Sequence, residues 1–342
     1  MTLPNYEFLS APLWLVTPLH LLTLSLHFVA MNCLLGGALV VVGYAAWGGG
    51  GGAPMVVRLT RLLPTTMAAT VTLGVAPLLF LQLVYPRQAY AAAIVSSWFW
   101  LLVVAAVLIA YAALYLCAGT SERSGTVFLP PLVLALAGMV YVSIAYSSIF
   151  AMAERPDLIR ALYAADQSGL VWNPAWGDYL LRWLHMLAGA VTVGGFCVGV
   201  LGRHDPQSYR MGMWFFVVGM VLATVLGLAY LASLLPILGA FMRTPAIWAL
   251  TAAVLLSVGS LHFFFRKNFL VAGAMLFLSL FGMVYARHTV RLLKLVGQFD
   301  PSSWHVAPQW GPFVLFLVSF VAALAVVAYM LRLFFSATAR PA

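Results

Sequence analysis

Five histidines of this sequence lie inside long apolar runs: His20, His27, His185, His262 and His288. A polar side chain in a lipid-exposed segment is energetically costly, and its presence usually has a functional reason. Neutral imidazole inside a dry helix bundle is the ligand that haem iron and other transition metals take. The alternative is a histidine that hydrogen-bonds to a neighbouring helix and only holds the bundle together. A single histidine fits either interpretation, but five of them among few membrane carboxylates favour ligation.

Two of these histidines belong to a repeated pattern. His27 precedes the pair Gly36-Gly37, and His185 precedes Gly194-Gly195, with eight residues between histidine and glycine pair in each case. At about 100° per residue, the first glycine lies on the helix face opposite the histidine. The glycine pair is therefore predicted to let another helix approach closely, while the histidine serves as ligand.

The elements that must position these residues are membrane helices. The chain is 64% hydrophobic and 7% charged, whereas soluble domains contain about 25% charged residues. Apolar runs long enough to cross a bilayer recur along the whole length. They predict an all-α polytopic membrane protein with nine transmembrane helices, at about 12–46, 62–84, 97–117, 128–150, 180–201, 212–235, 247–265, 269–290 and 311–335.

The nine spans divide into two similar units. Besides the histidine pattern of the first and fifth spans, the sequence Gly-Met-Val-Tyr occurs in the fourth span at Gly138 and in the eighth at Gly282. Four spans separate each pair, so the units are parallel repeats. We predict a first four-helix unit at 1–150, a second at 151–300, and a ninth helix with a tail at 301–342.

The net charge of +9 reflects membrane topology, because the lysines and arginines occupy loops and helix ends. This distribution does not indicate a nucleic-acid-binding surface. Nine basic residues fall in loops on one side and eight on the other. The small excess predicts an N-terminus outside and a C-terminus inside. The cysteines form no Cys-x-x-Cys-His motif, which excludes covalent haem attachment within this chain.

Cationic side chains accompany two of the histidines. Arg182 lies three residues before His185, and Arg287, Arg291 and Lys294 flank His288. His185 and His288 are predicted to lie at a similar depth near the outer face. Haem propionates need cationic partners, so Arg182 and Arg291 are candidate propionate ligands. The alternative is ordinary anchoring at the membrane interface.

His20 and His27 are seven residues apart on one helix face, a rise of about 10.5 Å. This spacing is too short for two separate stacked haems, so one of them ligates while the other lines the haem edge or serves another haem. His262 lies near the inner end of the seventh span, too far from His185 to share its haem.

These residues resemble the large, haem-bearing subunit of cytochrome bd-type quinol oxidases over most of a shortened chain. HMLAGAVTVGGF at 185–196 is similar to the family's fifth-helix pattern, and LGVAPLLFLQLVY at 73–85 to its second-helix segment. The resemblance implies haem-iron ligands at His27, His185 and His288, where His288 replaces a glutamate that precedes an arginine by three residues, here Arg291.

The chain also departs from that family. Gln82 stands where a proton-carrying glutamate is expected, and 97–117 contains no acid. The quinol-binding loop between the sixth and seventh spans is reduced to about 236–246. The family's methionine ligand opposite His185 has no clear counterpart, because both Met242 and His288 are candidates for that position. The chain therefore lacks features that support oxygen reduction and the usual quinol site in that family.

The sequence predicts an oxidoreductase subunit in the inner membrane of a prokaryote. It would hold two or three molecules of haem b and pass electrons between the membrane quinone pool and an extracytoplasmic c-type cytochrome. Membrane lipid and other membrane subunits are its expected partners. One alternative is a true bd-type terminal oxidase. Another, from a different class, is a proton-coupled transporter with a histidine relay, which would carry no pigment.

Overall fold

The computed structural model describes residues 8–46, 52–123 and 125–338, and most of these residues are helical. Within them, nine helices are long and apolar enough to cross a membrane. The predicted all-α polytopic membrane protein is therefore confirmed.

The elements follow one another along the chain with short connections, two of which contain a 3-10 turn, at Trp176–Asp178 and Pro301–Ser303. In chain order they are β1 (Phe8–Leu9), α1 (Leu13–Ala46), α2 (Pro54–Val84), α3 (Pro86–Val95), α4 (Ser97–Thr120), α5 (Leu129–Met152), α6 (Pro156–Ala165), α7 (Leu180–Leu201), α8 (Pro206–Ser233), α9 (Leu235–Phe241), α10 (Ala246–Phe265), α11 (Phe269–Lys294), β2 (His305–Val306) and α12 (Trp310–Thr338).

The predicted start of the second span at 62 is wrong, because α2 begins at Pro54. Its first two turns contain Arg58 and Arg61, which lower the local hydropathy without interrupting the helix. Arg58 donates a hydrogen bond to the carbonyl of Leu201 at 3.0 Å, and Arg61 pairs with Glu122. Long cationic side chains commonly extend from the end of a membrane helix in this way.

Residues 18–300 form one compact unit. Within it, helices that follow each other in sequence pack as antiparallel pairs, notably α4 with α5, α7 with α8, and α10 with α11. The short helices α3, α6 and α9 all lie in connections at the same end of these pairs. Pro86 and Pro156 begin two of them, at the helix position where proline loses no backbone hydrogen bond.

Helices α1 and α7 approach each other at the repeated glycines. A Cβ atom on Gly36 would overlap the backbone of Ala190, and one on Gly194 would overlap the backbone of Gly36. Only glycine permits a helix-to-helix contact this close. The prediction that the glycine pair serves helix packing is therefore confirmed.

The repeated Gly-Met-Val-Tyr segment packs in the same way in both of its copies. A Cβ atom on Gly138 of α5 would lie 3.0 Å from the carbonyl oxygen of Ala106 on α4. A Cβ atom on Gly282 of α11 would lie 3.0 Å from the carbonyl oxygen of Ala249 on α10. The two helix pairs thus pack through equivalent residues.

Residues 8–17 and 301–338 form a second unit. Its two short strands pair in parallel, Phe8 opposite His305 and Leu9 opposite Val306. In α12, nearly every described side chain is exposed, and most of these side chains are large and apolar. Large exposed apolar side chains on membrane-spanning helices contact lipid.

Candidate functional site

A fully buried carboxylate lies among four cations at the end of the bundle that carries the short helices. Glu154 follows the last turn of α5, and its side chain is 1% exposed. Pro156 begins α6 two residues later and stops α5 from continuing, since the residue before a proline avoids helical geometry. We call the surrounding side chains the cation cluster: Arg182 from α7, and Arg287, Arg291 and Lys294 from α11.

The cation cluster encloses both carboxylate oxygens. Arg287 pairs with Oε1, the Nε atom of Arg291 lies 3.6 Å from it, and Nη1 of Arg182 lies 3.8 Å from it. Nζ of Lys294 lies 3.5 Å from Oε2. The three residues of α11 recur at helical spacing, so they point from one face of that helix toward Glu154. All four cationic side chains are at most 20% exposed.

The charges of this site do not balance. Burial by itself raises the pKa of Glu154, but attraction to Arg287, Arg182, Lys294 and Arg291 outweighs burial and lowers the pKa to about 2. Glu154 is therefore ionised at neutral pH and neutralises one of the four positive charges. Within the cation cluster the cations outnumber this carboxylate by three, and buried cations are costly without further anions.

We expect the stability of the protein to depend on pH through Glu154. Its pKa is lowered from 4.5 to about 2 in the folded protein. The ion pairs therefore contribute fully above pH 4.5, and the contribution falls as the pH drops toward 2. Thermal unfolding of the wild type and of Glu154→Gln between pH 7 and pH 2.5 measures this. The difference in melting temperature should be constant down to about pH 4.5 and then shrink; a constant difference throughout would contradict the assignment.

His20 and His288 lie beside the cation cluster. His20, on α1, is 6% exposed and close enough to His288 and Arg291 to interact with both electrostatically. The backbone of Pro77 lies beside the ring of His20, yet neither ring nitrogen makes a hydrogen bond of normal geometry. The Nδ1 atom of His288 is also buried without a hydrogen-bond partner.

Unpartnered polar atoms concentrate at this end of the bundle. In the described residues, ten buried side-chain atoms have no hydrogen-bond partner, and seven of them belong to six residues in or next to the cation cluster: His20, Tyr85, Glu154, Tyr230, Arg287 and His288. Buried polar atoms are nearly always hydrogen-bonded in native proteins. This concentration makes the end of the bundle around the cation cluster the candidate functional site.

Tyr85 forms the wall of this region on the side of α3. The guanidinium of Arg291 lies over its ring, 5.6 Å from the ring centre. A cavity of about 10 Å³ lies between Tyr85, Glu154 and Arg291, which is just enough space for one water molecule. Burial raises the pKa of the Tyr85 phenol, so the phenol remains a neutral hydrogen-bond donor.

Unlike His20, both His27 and His185 make a hydrogen bond through the ring, and the two bonds are equivalent. Nδ1 of His27 bonds to the carbonyl of Thr70 on α2 at 3.0 Å, and Nδ1 of His185 bonds to the carbonyl of Ala223 on α8 at 2.8 Å. A carbonyl only accepts hydrogen bonds, so Nδ1 carries the proton in both rings. The lone pair of Nε2 is thereby left for another partner, as in metal-ligating histidines.

A glycine faces each of these two rings. A Cβ atom on Gly74 would lie 2.9 Å from Cε1 of His27, and one on Gly227 would lie 3.0 Å from Cε1 of His185. The glycine stands four residues after the hydrogen-bonding carbonyl in both helices. The sequence pattern therefore corresponds to two equivalent histidine environments.

The structure brings together some of the predicted site residues and separates others. Arg182, Arg291, His20 and His288 converge, whereas His27 and His185 each bond to the neighbouring helix of their own repeat. Met242 is exposed. Over the described ranges, no group of three or more histidine, cysteine, aspartate or glutamate side chains has the arrangement of a metal site. Haem iron requires only one or two protein ligands.

Sequence reasoning missed Glu154, which falls between the predicted fourth and fifth spans. Its partner Arg287 is 133 residues away in sequence, so no local pattern could have paired them. The available signal was a single acid directly after a membrane span, in a chain with eight acidic residues.

A scan of the chain against models of known protein families gives no match, and a search of curated proteins gives none either. What the chain does must therefore be inferred from its own residues.

Proposed function

We propose that the chain is a b-haem electron-transfer subunit of a membrane oxidoreductase, a divergent and shortened relative of the large subunit of cytochrome bd-type quinol oxidases. The observation that carries the proposal is the position of His20 and His288 beside the buried cation cluster. Both ring nitrogens of His20 and the Nδ1 atom of His288 are buried without a hydrogen-bond partner. Haem combines a metal that takes imidazole with two carboxylates that take cations.

The charges of the cation cluster fit such a ligand. One carboxylate, Glu154, faces four cations, and two propionates would raise the negative charges to three. Arg182 and Arg291 are the propionate partners expected from the sequence, and Arg287 adds a buried Nη1 atom that still has a hydrogen to donate. Arg182 is held in place because its Nη2 atom donates to the carbonyl of Ser147 at 2.9 Å.

His27 and His185 are the proposed ligands of further haems. In each, the bond from Nδ1 to a backbone carbonyl fixes the ring orientation and leaves Nε2 as the nitrogen that could ligate iron. Such a bond also makes the imidazole a better ligand. When bound, haem b supplies a one-electron carrier; the chain holds it, orients it and excludes water from it. His20 is proposed to share the site of His288.

The proposal also specifies the membrane, the orientation of the chain in it and the redox partners. We place the protein in the inner membrane of a prokaryote with the N-terminus outside, which puts the cation cluster near the outer face. There it would exchange electrons with an extracytoplasmic c-type cytochrome, while other membrane subunits and quinone complete the path. Oxygen reduction is not part of the proposal, because the second and third spans lack the carboxylates that would deliver protons.

We expect the purified chain to carry two or three non-covalent b haems. Replacing His185 by alanine should remove about one haem per chain, and so should replacing His27, because each loses an axial ligand. His20→Ala and His288→Ala should lose the same haem, so the double variant should lose no more than either single variant. Pyridine haemochrome analysis with reduced-minus-oxidised spectra measures the haem-to-protein ratio.

His204→Ala is the matched control. His204 lies in the connection between α7 and α8 and accepts a hydrogen bond from Arg203 at 3.0 Å. Its haem content should equal that of the wild type. A colourless wild-type protein would refute the proposal and favour a histidine-relay transporter.

A further inference from the structure

We propose that Cys33 and Cys197 are a modification site at which a lipid-soluble quinone forms a disulfide between α1 and α7. The two Sγ atoms lie 3.2 Å apart, and both cysteines are free thiols. They are 164 residues apart in sequence. This site is separate from the proposed haem ligands and does not depend on them.

The helix crossing holds the two thiols together. Cys33 is one helical turn before Gly36, and Cys197 is one turn after Gly194. At those glycines the two backbones touch, so neither helix can move away without breaking the crossing. A disulfide has an S–S distance of about 2.05 Å, so the sulfurs need to approach by about 1.2 Å. Small side-chain rotations supply a shift of this size.

Exposure determines which reagent can reach the pair. Cys33 and Cys197 are half-buried within membrane-spanning helices, whereas Cys117 on α4 is fully buried. A water-soluble oxidant does not enter this region, but a quinone partitions into lipid. In the reaction both S–H bonds break and one S–S bond forms. The two electrons and two protons released reduce the quinone to quinol.

The test uses the full-length protein in lipid nanodiscs and tetramethyl-benzoquinone, which accepts two electrons but cannot add to thiols. Thiols are counted by alkylation after denaturation, and linked peptides are identified by mass spectrometry. All three cysteines of the chain should be alkylated in the reduced protein. After quinone treatment only Cys117 should be alkylated, and a linked peptide pair should contain Cys33 and Cys197.

Three variants serve as controls. Cys117→Ser should still lose both remaining thiols, while Cys33→Ser and Cys197→Ser should keep both of theirs. Copper phenanthroline is used in parallel as a stronger oxidant. Three free thiols after both oxidants, or a disulfide between two copies of the chain, would overturn the proposal. Closure by copper phenanthroline but not by the quinone would refute the quinone as oxidant.

Discussion

Replacing Glu154 by glutamine is expected to lower the free energy of unfolding by about 3 to 5 kcal/mol, the cost typical of breaking a buried ion pair. Glutamine keeps the size and shape of the side chain but removes the negative charge that all four cations face. They would repel each other in a region where no side chain of the cation cluster is more than 20% exposed. Chemical denaturation in detergent measures the loss.

Glu122→Gln is the matched control for this prediction. Glu122 pairs with Arg61, and both side chains are 60% exposed. Exposed ion pairs contribute about 0 to 1 kcal/mol. If the two variants lost similar amounts of unfolding free energy, burial would not make the Glu154 ion pairs stronger than an exposed pair.

Replacing Gly194 by alanine is expected to lower the free energy of unfolding by about 3 kcal/mol, at the upper end for overpacking. The added methyl group would overlap the backbone of Gly36, which cannot rotate away as a side chain can. Helices α1 and α7 would have to separate along their crossing. Gly36→Ala should behave alike, since its methyl group would meet the backbone of Ala190.

Gly189→Ala is the control, because Gly189 lies on the same helix and has open space beside it. Apart from its own helix backbone, no atom of the described residues lies within 4 Å of the position that an added methyl group would take. Here alanine should stabilise the protein by up to about 1 kcal/mol, since glycine is the poorer helix former. Unfolding curves that shift in the same direction for Gly189→Ala and Gly194→Ala would contradict a role for the crossing.

Hydropathy was sufficient to predict the long helices. A membrane helix satisfies its backbone hydrogen bonds within itself, so a segment needs only sufficient length and apolarity to span the membrane. The helix limits were less predictable. Arg58 and Arg61 lower the hydropathy of the first turns of α2, and the residues that they contact, Leu201 and Glu122, are far away in sequence. The short helices α3, α6 and α9 escaped notice because they are too short for a hydropathy window.

The candidate site could be predicted only where the signal was local. The spacing of His27 and His185 to their glycines is visible in sequence, and the two equivalent environments match it. His20 and His288 lie on α1 and α11, far apart in sequence, and no short pattern indicates that they are close enough to interact electrostatically. The same holds for Glu154, whose four cationic partners come from two other helices.

The crossing of α1 with α7 also bears on the symmetry of the two repeats. Gly36 and Gly194 occupy equivalent positions of the two sequence repeats, and they touch each other. Contacts between equivalent positions are those that two identical subunits make across a two-fold axis. At this crossing the two halves of the chain meet as the two subunits of a homodimer would, although the polar residues of the two halves differ.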